Sequence, residues 1–268
     1  MRKSTLLGVA VSIMSACLVA TAPAGAGEAE RATKRFEVTA KVSNPEPTLG
    51  DKFTIRGEVK PARPGQVVKL QLRFGTSGKW QTTKTDVLNA KSKYKFVAEA
   101  ISVRFRQYRV VKPAQGATKS GKSAKLGVTV YGWRDLTSLS PVATNGTGET
   151  GSVTINATAY EQSIVGNSYA NSGSIAYNIN RGCKRFEGRV GLSDSSALTA
   201  TGEVKILGDT TGLYASSFGL TQSAAVGLDL TGVFRITVDW ASTNTAGTPE
   251  NQSGAIIAVG SPRLLCNF

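Results

Sequence analysis

The chain has 268 residues, of which 40% are hydrophobic, and a formal net charge of +14 at pH 7. That length allows two domains of ordinary size, each with its own core. The sequence contains no histidine, which excludes histidine-based catalytic triads and removes the commonest zinc ligand.

Residues 1–26 have the pattern of a secretory signal peptide. Two basic residues precede an uncharged apolar run from Leu6 to Ala22, and small residues then offer a cleavage site. We therefore expect a secreted protein that has no transmembrane segment after cleavage, with a short linker over residues 27–35. A membrane anchor and lipoprotein processing at Cys17 are the alternatives.

Residues 36–130 predict a β-sandwich. Apolar and polar residues alternate in several runs, and turn-forming residues cluster between the runs. About seven short strands over this length are typical of an immunoglobulin-like sandwich. The order GEVKPARPGQVVKLQLRFGTSGKW also resembles bacterial immunoglobulin-like modules. The predicted strands centre on Phe53–Val59, Val68–Phe74, Tyr94–Ala98, Val103–Phe105, Tyr108–Val110 and Leu126–Val130.

The basic character of the chain belongs to this first half. Residues 27–130 contain 22 Lys and Arg against 8 Asp and Glu, whereas residues 131–268 contain 8 against 10. If neighbouring strands carry the cations, they form one positive face that attracts anionic wall polymers, acidic glycans or phospholipid head groups, with no specificity for nucleic acid. A solvated face that protects sheet edges is the alternative. The candidate polyanion-binding residues are Lys69, Arg73, Lys93, Lys95, Arg104 and Arg106.

The stretch from Ile175 to Ser196 predicts a β-hairpin. Two arms in which apolar and polar residues alternate flank a turn that contains Gly182. The charged residues of the second arm fall on its predicted solvent-exposed side. Cys183 begins that arm. Once the signal peptide is removed, Cys183 and Cys266 are the two cysteines of an exported chain, which favours a disulfide between them; two buried thiols are the alternative.

The second half of the chain, residues 131–268, resembles the NPCBM domain, a carbohydrate-binding module. The resemblance lies in WRDLTSL, YEQSIVGNSYANSGSIAYNI, KRFEGRVGLSDSS and EVKILGDTTGLYAS, which follow one another in that order. It implies a jelly-roll-type β-sandwich after the immunoglobulin-like one, so the fold class is all-β. Sugar-binding members usually carry a histidine in the loop that residues 167–171 occupy here, and a later tryptophan-glycine motif is also missing. The candidate ligand residues, which combine aromatic rings with amides, are Trp133, Asn167, Tyr169 and Asn171.

The predicted function is that of an exported, non-catalytic protein that binds an extracellular glycan or an anionic cell-wall polymer, without a cofactor or an assigned metal. It would act outside the cell or at the cell wall. The alternatives are a structural wall-associated protein without a sugar ligand and a carboxylate-based glycosidase. The acids open to such a glycosidase are Glu161, Glu187, Asp194, Glu203, Asp209, Asp229 and Asp239.

Overall fold

The structure is a computed structural model that describes residues 34–146, 148–167, 172–242 and 254–268. The predicted signal peptide and most of the predicted linker lie outside these residues, so cleavage and export stay predictions. Within the described ranges, no helix combines the length and the apolar character needed to cross a membrane.

The described residues fold into β-strands joined by turns, with one short 3-10 helix at Leu136–Ser138, which confirms the all-β prediction. The strands are β1 (Glu37–Val38), β2 (Lys41–Val42), β3 (Lys52–Lys60), β4 (Val67–Phe74), β5 (Gln81–Val87), β6 (Lys93–Glu99), β7 (Phe105–Lys112), β8 (Gly121–Lys122), β9 (Leu126–Thr129), β10 (Gly132–Asp135), β11 (Ala143–Asn145), β12 (Gly148–Ile155), β13 (Thr158–Gly166), β14 (Ser172–Asn178), β15 (Cys183–Leu192), β16 (Thr201–Gly208), β17 (Thr211–Gly219), β18 (Ser223–Asp229), β19 (Arg235–Ser242) and β20 (Ile257–Cys266).

These strands form four antiparallel sheets, two in each half of the chain. In sheet A, β1, β2 and β6 all pair with β3. In sheet B the order is β5-β4-β7, and β8 and β9 also pair with β7. Sheet C has the order β12-β13-β20-β15-β18, with β10 also on β20, and sheet D has the order β11-β14-β19-β16-β17. The division into domains at residues 36–130 and 131–268 stays a prediction.

Sheets A and B of the first half share one hydrophobic core. Strands β3, β6 and β7 bury alternate side chains, and the Phe53 and Tyr108 rings pack edge to face with their centroids 5.7 Å apart. This alternation is what a sheet with one face in the core requires. The core includes Phe53, Ile55, Val59, Val68, Leu70, Phe96, Tyr108, Val110 and Val128. The closer assignment to immunoglobulin-like modules stays a prediction.

Sheets C and D of the second half enclose a separate core. The aromatic residues Tyr177, Phe186 and Trp240 are all buried in it. The Trp240 ring lies against backbone: a Cβ added at Gly173 would stand 2.4 Å from its Cζ2 atom. Other members of this core are Ile175, Val190, Leu192, Val204, Ile206, Ile236, Val238, Val259 and Leu264.

The predicted hairpin between Ile175 and Ser196 is wrong. Both arms exist as strands, but β14 belongs to sheet D and β15 to sheet C. The connection has positive φ at Asn180 (51°) and Arg181 (58°) and carries the chain from one sheet to the other. Alternation shows that each strand buries one face, and both sheets of a sandwich require that pattern, so it does not identify the neighbouring strand.

The predicted disulfide between Cys183 and Cys266 is present. The two residues stand directly opposite each other in the β15–β20 ladder, with their Cα atoms 4.0 Å apart, and they are 83 positions apart in the sequence. Both are buried in the core of the second half. The bond therefore joins the first residue of β15 to the last residue of β20.

The two halves meet without an intervening flexible segment among the described residues. Only Val130 and Tyr131 separate β9 from β10, and Tyr131 is held by backbone hydrogen bonds to Pro47 and Leu49 of the first half. From the second half, the Lys184 ammonium pairs with the Glu46 carboxylate and lies 4.3 Å from the centroid of the Tyr131 ring.

Candidate functional site

The outer face of sheet C carries an open groove of about 530 Å³. Its residues come from four strands, β13, β15, β18 and β20. The lining residues are Tyr160, Arg185, Glu187, Gly188, Arg189, Ala225, Val226, Gly227, Gly260, Ser261 and Arg263.

Glu187 lies between two arginines in this groove. Its carboxylate accepts from Arg185 Nε at 2.8 Å and from Arg263 Nη2 and Nε at 2.7 and 3.1 Å. In the register of the sheet, Glu187 of β15 stands opposite Arg263 of β20, which explains the close contact. Such charge-assisted bonds fix the planar guanidinium groups, so the groove presents oriented donors.

Arg189 is the third arginine of the groove, and a hydroxyl holds it. Its Nε and Nη2 donate to Ser223 Oγ at 3.0 and 2.8 Å. Among the contacts of the described residues, Arg189 has no carboxylate partner. The groove lining contains three arginines and one glutamate, so it has two more cations than anions. An acidic or strongly polar ligand would meet uncompensated donors here.

Glycines keep the floor of the groove open. Gly227 stands opposite Glu187 and Gly260 stands opposite Arg189 in the ladders of the sheet. A Cβ at Gly260 would lie 2.6 Å from Cγ of Tyr160, so a side chain would displace that ring. Tyr160 thus packs on the backbone and forms an aromatic wall at this end of the groove.

Trp133, a predicted ligand residue, lies outside the groove lining but beside Arg263, which is part of it. Trp133 is 38% exposed, and the Arg263 guanidinium carbon lies 4.5 Å from its ring centroid. The structure therefore brings Trp133 together with charged groups that the sequence reasoning did not nominate. Asn167 follows β13 outside the groove lining, while Tyr169 and Asn171 lie outside the described residues.

The seven acids considered for a glycosidase are not gathered into one site. Glu187 is the one that lines the groove, and it is held by two arginines. Asp194 instead accepts from the backbone N–H groups of Asn156 and Ala157 at 2.7 and 2.8 Å, which holds the β12–β13 turn. Asp209 similarly accepts from the backbone of β19. These acids therefore have structural roles on separate elements.

The predicted single basic face is not formed by the residues nominated for it. Lys69 and Arg73 lie on β4 of sheet B, whereas Lys93 and Lys95 lie on β6 of sheet A, and these strands are not neighbours. Arg104 is exposed beside the Phe74 ring, 5.0 Å from its centroid.

The expected outward orientation of Arg106 is wrong. This residue is 1% exposed, and its Nη2 donates to the carbonyl and hydroxyl of Ser102 at 2.6 and 2.8 Å. It shares the buried phase of β7 with Tyr108 and Val110, while Phe105 is partly exposed. Phe105 misled the sequence reading, because an aromatic residue at a strand end was assumed to face the core.

Sequence reasoning also missed two residues that the fold places beside Arg73. The ring of Trp80 lies 4.8 Å from the Arg73 guanidinium carbon and 4.1 Å from that of Arg109. Burial, and then the charge of Arg73, lower the pKa of Arg109. The signal available in the sequence was the outward phase of Arg109 on β7, which follows once Tyr108 is assigned to the core.

No group of three or more metal-binding side chains occurs among the residues that the structure describes. The arginines of the groove cannot serve as metal ligands, because a charged guanidinium group has donors and no acceptor atom.

Comparison with known proteins gives one family and several solved structures. The NPCBM/NEW2 domain model matches residues 126–249. The CBM51-2 and INT domains of Clostridium perfringens ZmpB share 12% identity at a TM-score of 0.41, over 60% of this chain and 37% of that one. The CBM51 domain of Clostridium perfringens GH95, solved with methyl-galactose, shares 15% identity at a TM-score of 0.38, over 49% of this chain and 99% of that one.

This chain thus spans little more than a third of the ZmpB fragment, and no curated protein matches it. The NPCBM/NEW2 domain is a non-catalytic binding module. The resemblance predicted from the sequence is confirmed: residues 126–249 of this chain match the NPCBM/NEW2 domain.

Proposed function

We propose that this protein is an exported, non-catalytic glycan-binding protein that takes its ligand in the groove of sheet C. One observation carries the proposal: on the outer face of sheet C, oriented charged groups lie beside two aromatic rings, with Tyr160 in the groove lining and Trp133 against Arg263. Sugar sites need this combination, because a sugar has apolar ring faces and a rim of hydroxyls.

The residues in and beside the groove have different roles in binding. A pyranose ring packs on the exposed part of Trp133, and its hydroxyls donate to Glu187 and accept from Arg189 and Arg263. The groove has more cations than anions, which favours sugars that carry a carboxylate or another acidic substituent. The glycine floor lets the sugar reach the backbone of the sheet.

The predicted signal peptide and the disulfide support an extracellular location. A disulfide persists in oxidising compartments and is rare in a reducing cytosol. The mature chain would therefore meet glycans outside the cell or in the cell wall.

A second activity is favoured by the charge of the first half. The excess of cations over residues 27–130 supports binding of anionic wall polymers by this half, while the second half binds sugar. The two halves would then hold the protein at a surface through two different ligands.

A glycan array probed with the mature chain tests the main proposal. The array identifies a ligand, and titration then compares Arg189→Gln with Arg235→Gln, which removes an exposed arginine from β19 of sheet D. We expect Arg189→Gln to weaken binding about tenfold, the equivalent of one charge-assisted hydrogen bond, and Arg235→Gln to have no effect. Absence of binding to any sugar would favour the structural wall protein, and equal losses would move the site away from the groove.

A further inference from the structure

The outer face of sheet B presents two arginines in a crossed pattern. Arg73 of β4 stands opposite Gln107 of β7, and Gln71 of β4 stands opposite Arg109 of β7. Arg73 Nε and Nη2 donate to Gln107 Oε1 at 2.9 and 2.6 Å, and Arg109 Nε donates to Gln71 Oε1 at 2.8 Å. Neutral amides thus orient both guanidinium groups and leave their charges in place.

Trp80 lies against both of these arginines. It immediately precedes β5, on the opposite side of β4 from β7, and its ring reaches across to within 4.1 Å of Arg109. A flat guanidinium packs well on an indole face. The ring is still partly exposed, so this surface offers an aromatic group and two cations at one place.

No carboxylate balances this pair among the described residues of sheet B. The one acid in its strands is Asp86, which accepts from the backbone N–H groups of Val87 and Lys95, at the edge next to sheet A. In sheet A the situation differs, because Glu58 stands directly opposite Lys93. Two like charges held together without an anion cost free energy, and a bound anion would remove that cost.

We infer that the outer face of sheet B, built on Arg73, Trp80 and Arg109, binds an acidic polysaccharide. Its acidic groups accept from the two guanidinium groups, and a sugar ring contacts Trp80. Lys69 lies on the same face of β4, about 13 Å from Arg73 along the strand, so a linear chain can reach a further cation. This inference rests on the proposed polyanion-binding role of the first half and replaces Lys93, Lys95 and Arg106 as its site.

The test compares two charge-matched double variants of the mature chain. Arg73→Gln with Arg109→Gln removes two cations from sheet B, and Lys93→Gln with Lys95→Gln removes two from sheet A. Heparin is the probe, titrated at about 0.1 M salt, where the Debye length of about 10 Å leaves local charge effective. We expect the sheet B variant to lose at least about tenfold in affinity, and the sheet A variant less than about threefold.

A third variant separates sugar from charge. Trp80→Leu keeps every cation, so it is expected to weaken heparin severalfold and to leave the binding of inorganic polyphosphate unchanged. Equal weakening of both probes would overturn the assignment of a glycan. Because Trp80 and its arginines also pack on each other, the unaltered protein is titrated in parallel, and heparin is expected to shift the Trp80 indole resonance.

The outcomes distinguish this inference from the function on which it rests. Equal losses in the two double variants, or an unshifted Trp80 resonance while heparin binds, would overturn the sheet B site and leave the polyanion-binding role standing. If the unaltered chain does not bind heparin or polyphosphate at low salt, the polyanion-binding role itself is wrong, and the sheet B site is withdrawn with it.

Discussion

Removal of the disulfide is expected to cost the protein a large part of its stability. Cys183 and Cys266 are 83 positions apart, so the bond closes a long loop in the unfolded chain. The loop-entropy relation for that length gives about 4.5 kcal/mol at 25 °C. Native domains have a free energy of unfolding of only about 5 to 15 kcal/mol, which makes this loss easy to detect.

The measurement is equilibrium unfolding in urea, with the oxidised protein compared with the double variant Cys183→Ala and Cys266→Ala. We expect a loss of about 3 to 5 kcal/mol, in the range of the loop-entropy figure. The unaltered protein in excess reductant is the control and should lose a similar amount. A double variant within about 1 kcal/mol of the oxidised protein would refute this reasoning, since the loop would then contribute almost nothing.

Three further changes test the packing and the electrostatics of the second half. Gly173→Ala should destabilise the protein by about 1 to 3 kcal/mol in thermal or urea unfolding, because its Cβ meets the Trp240 ring; Gly151→Ala, where a Cβ meets nothing within 4 Å, is the control and should be near neutral. Asp194→Ala should cost about 1 to 3 kcal/mol, because two N–H groups of the β12–β13 turn lose their acceptor; an unchanged unfolding midpoint would contradict this role. Burial raises the pKa of Asp239, so its ionised form is disfavoured in the folded state. Asp239→Asn should therefore raise the unfolding temperature at neutral pH and change it little near about pH 3, where the carboxyl is largely protonated in both states; the reverse pH dependence would contradict the sign of this shift.

The sequence was informative where a feature depends on residues close in sequence or on a simple count. The alternating run Phe53–Val59 predicted a strand with one face in the core, and β3 has that form, with Phe53, Ile55 and Val59 buried. The cysteine count likewise predicted the pair that is bonded. Both inferences depend on local periodicity or on simple counting, which survive without knowledge of the topology.

The sequence was misleading or silent wherever the answer depends on which strands are neighbours. Alternation could not show that β14 and β15 lie in different sheets, and the strand β5 has no apolar period because it lies at the edge of sheet B. The groove draws Tyr160, Glu187 and Arg263 from strands far apart in sequence. Such a site becomes visible only when the order of strands in sheet C is known.

The most direct test of glycan binding in the groove uses the three tryptophans of the chain as separate reporters. Trp80 lies on sheet B, Trp133 lies beside the groove, and Trp240 is buried between sheets C and D. Fluorine NMR of protein labelled with 5-fluorotryptophan, titrated with a sugar identified on the array, gives one resonance for each ring. We predict a saturable shift of the Trp133 resonance, with the resonance of the buried Trp240 unchanged. Saturable binding that leaves the Trp133 resonance in place would contradict the central claim that the groove of sheet C is the glycan site.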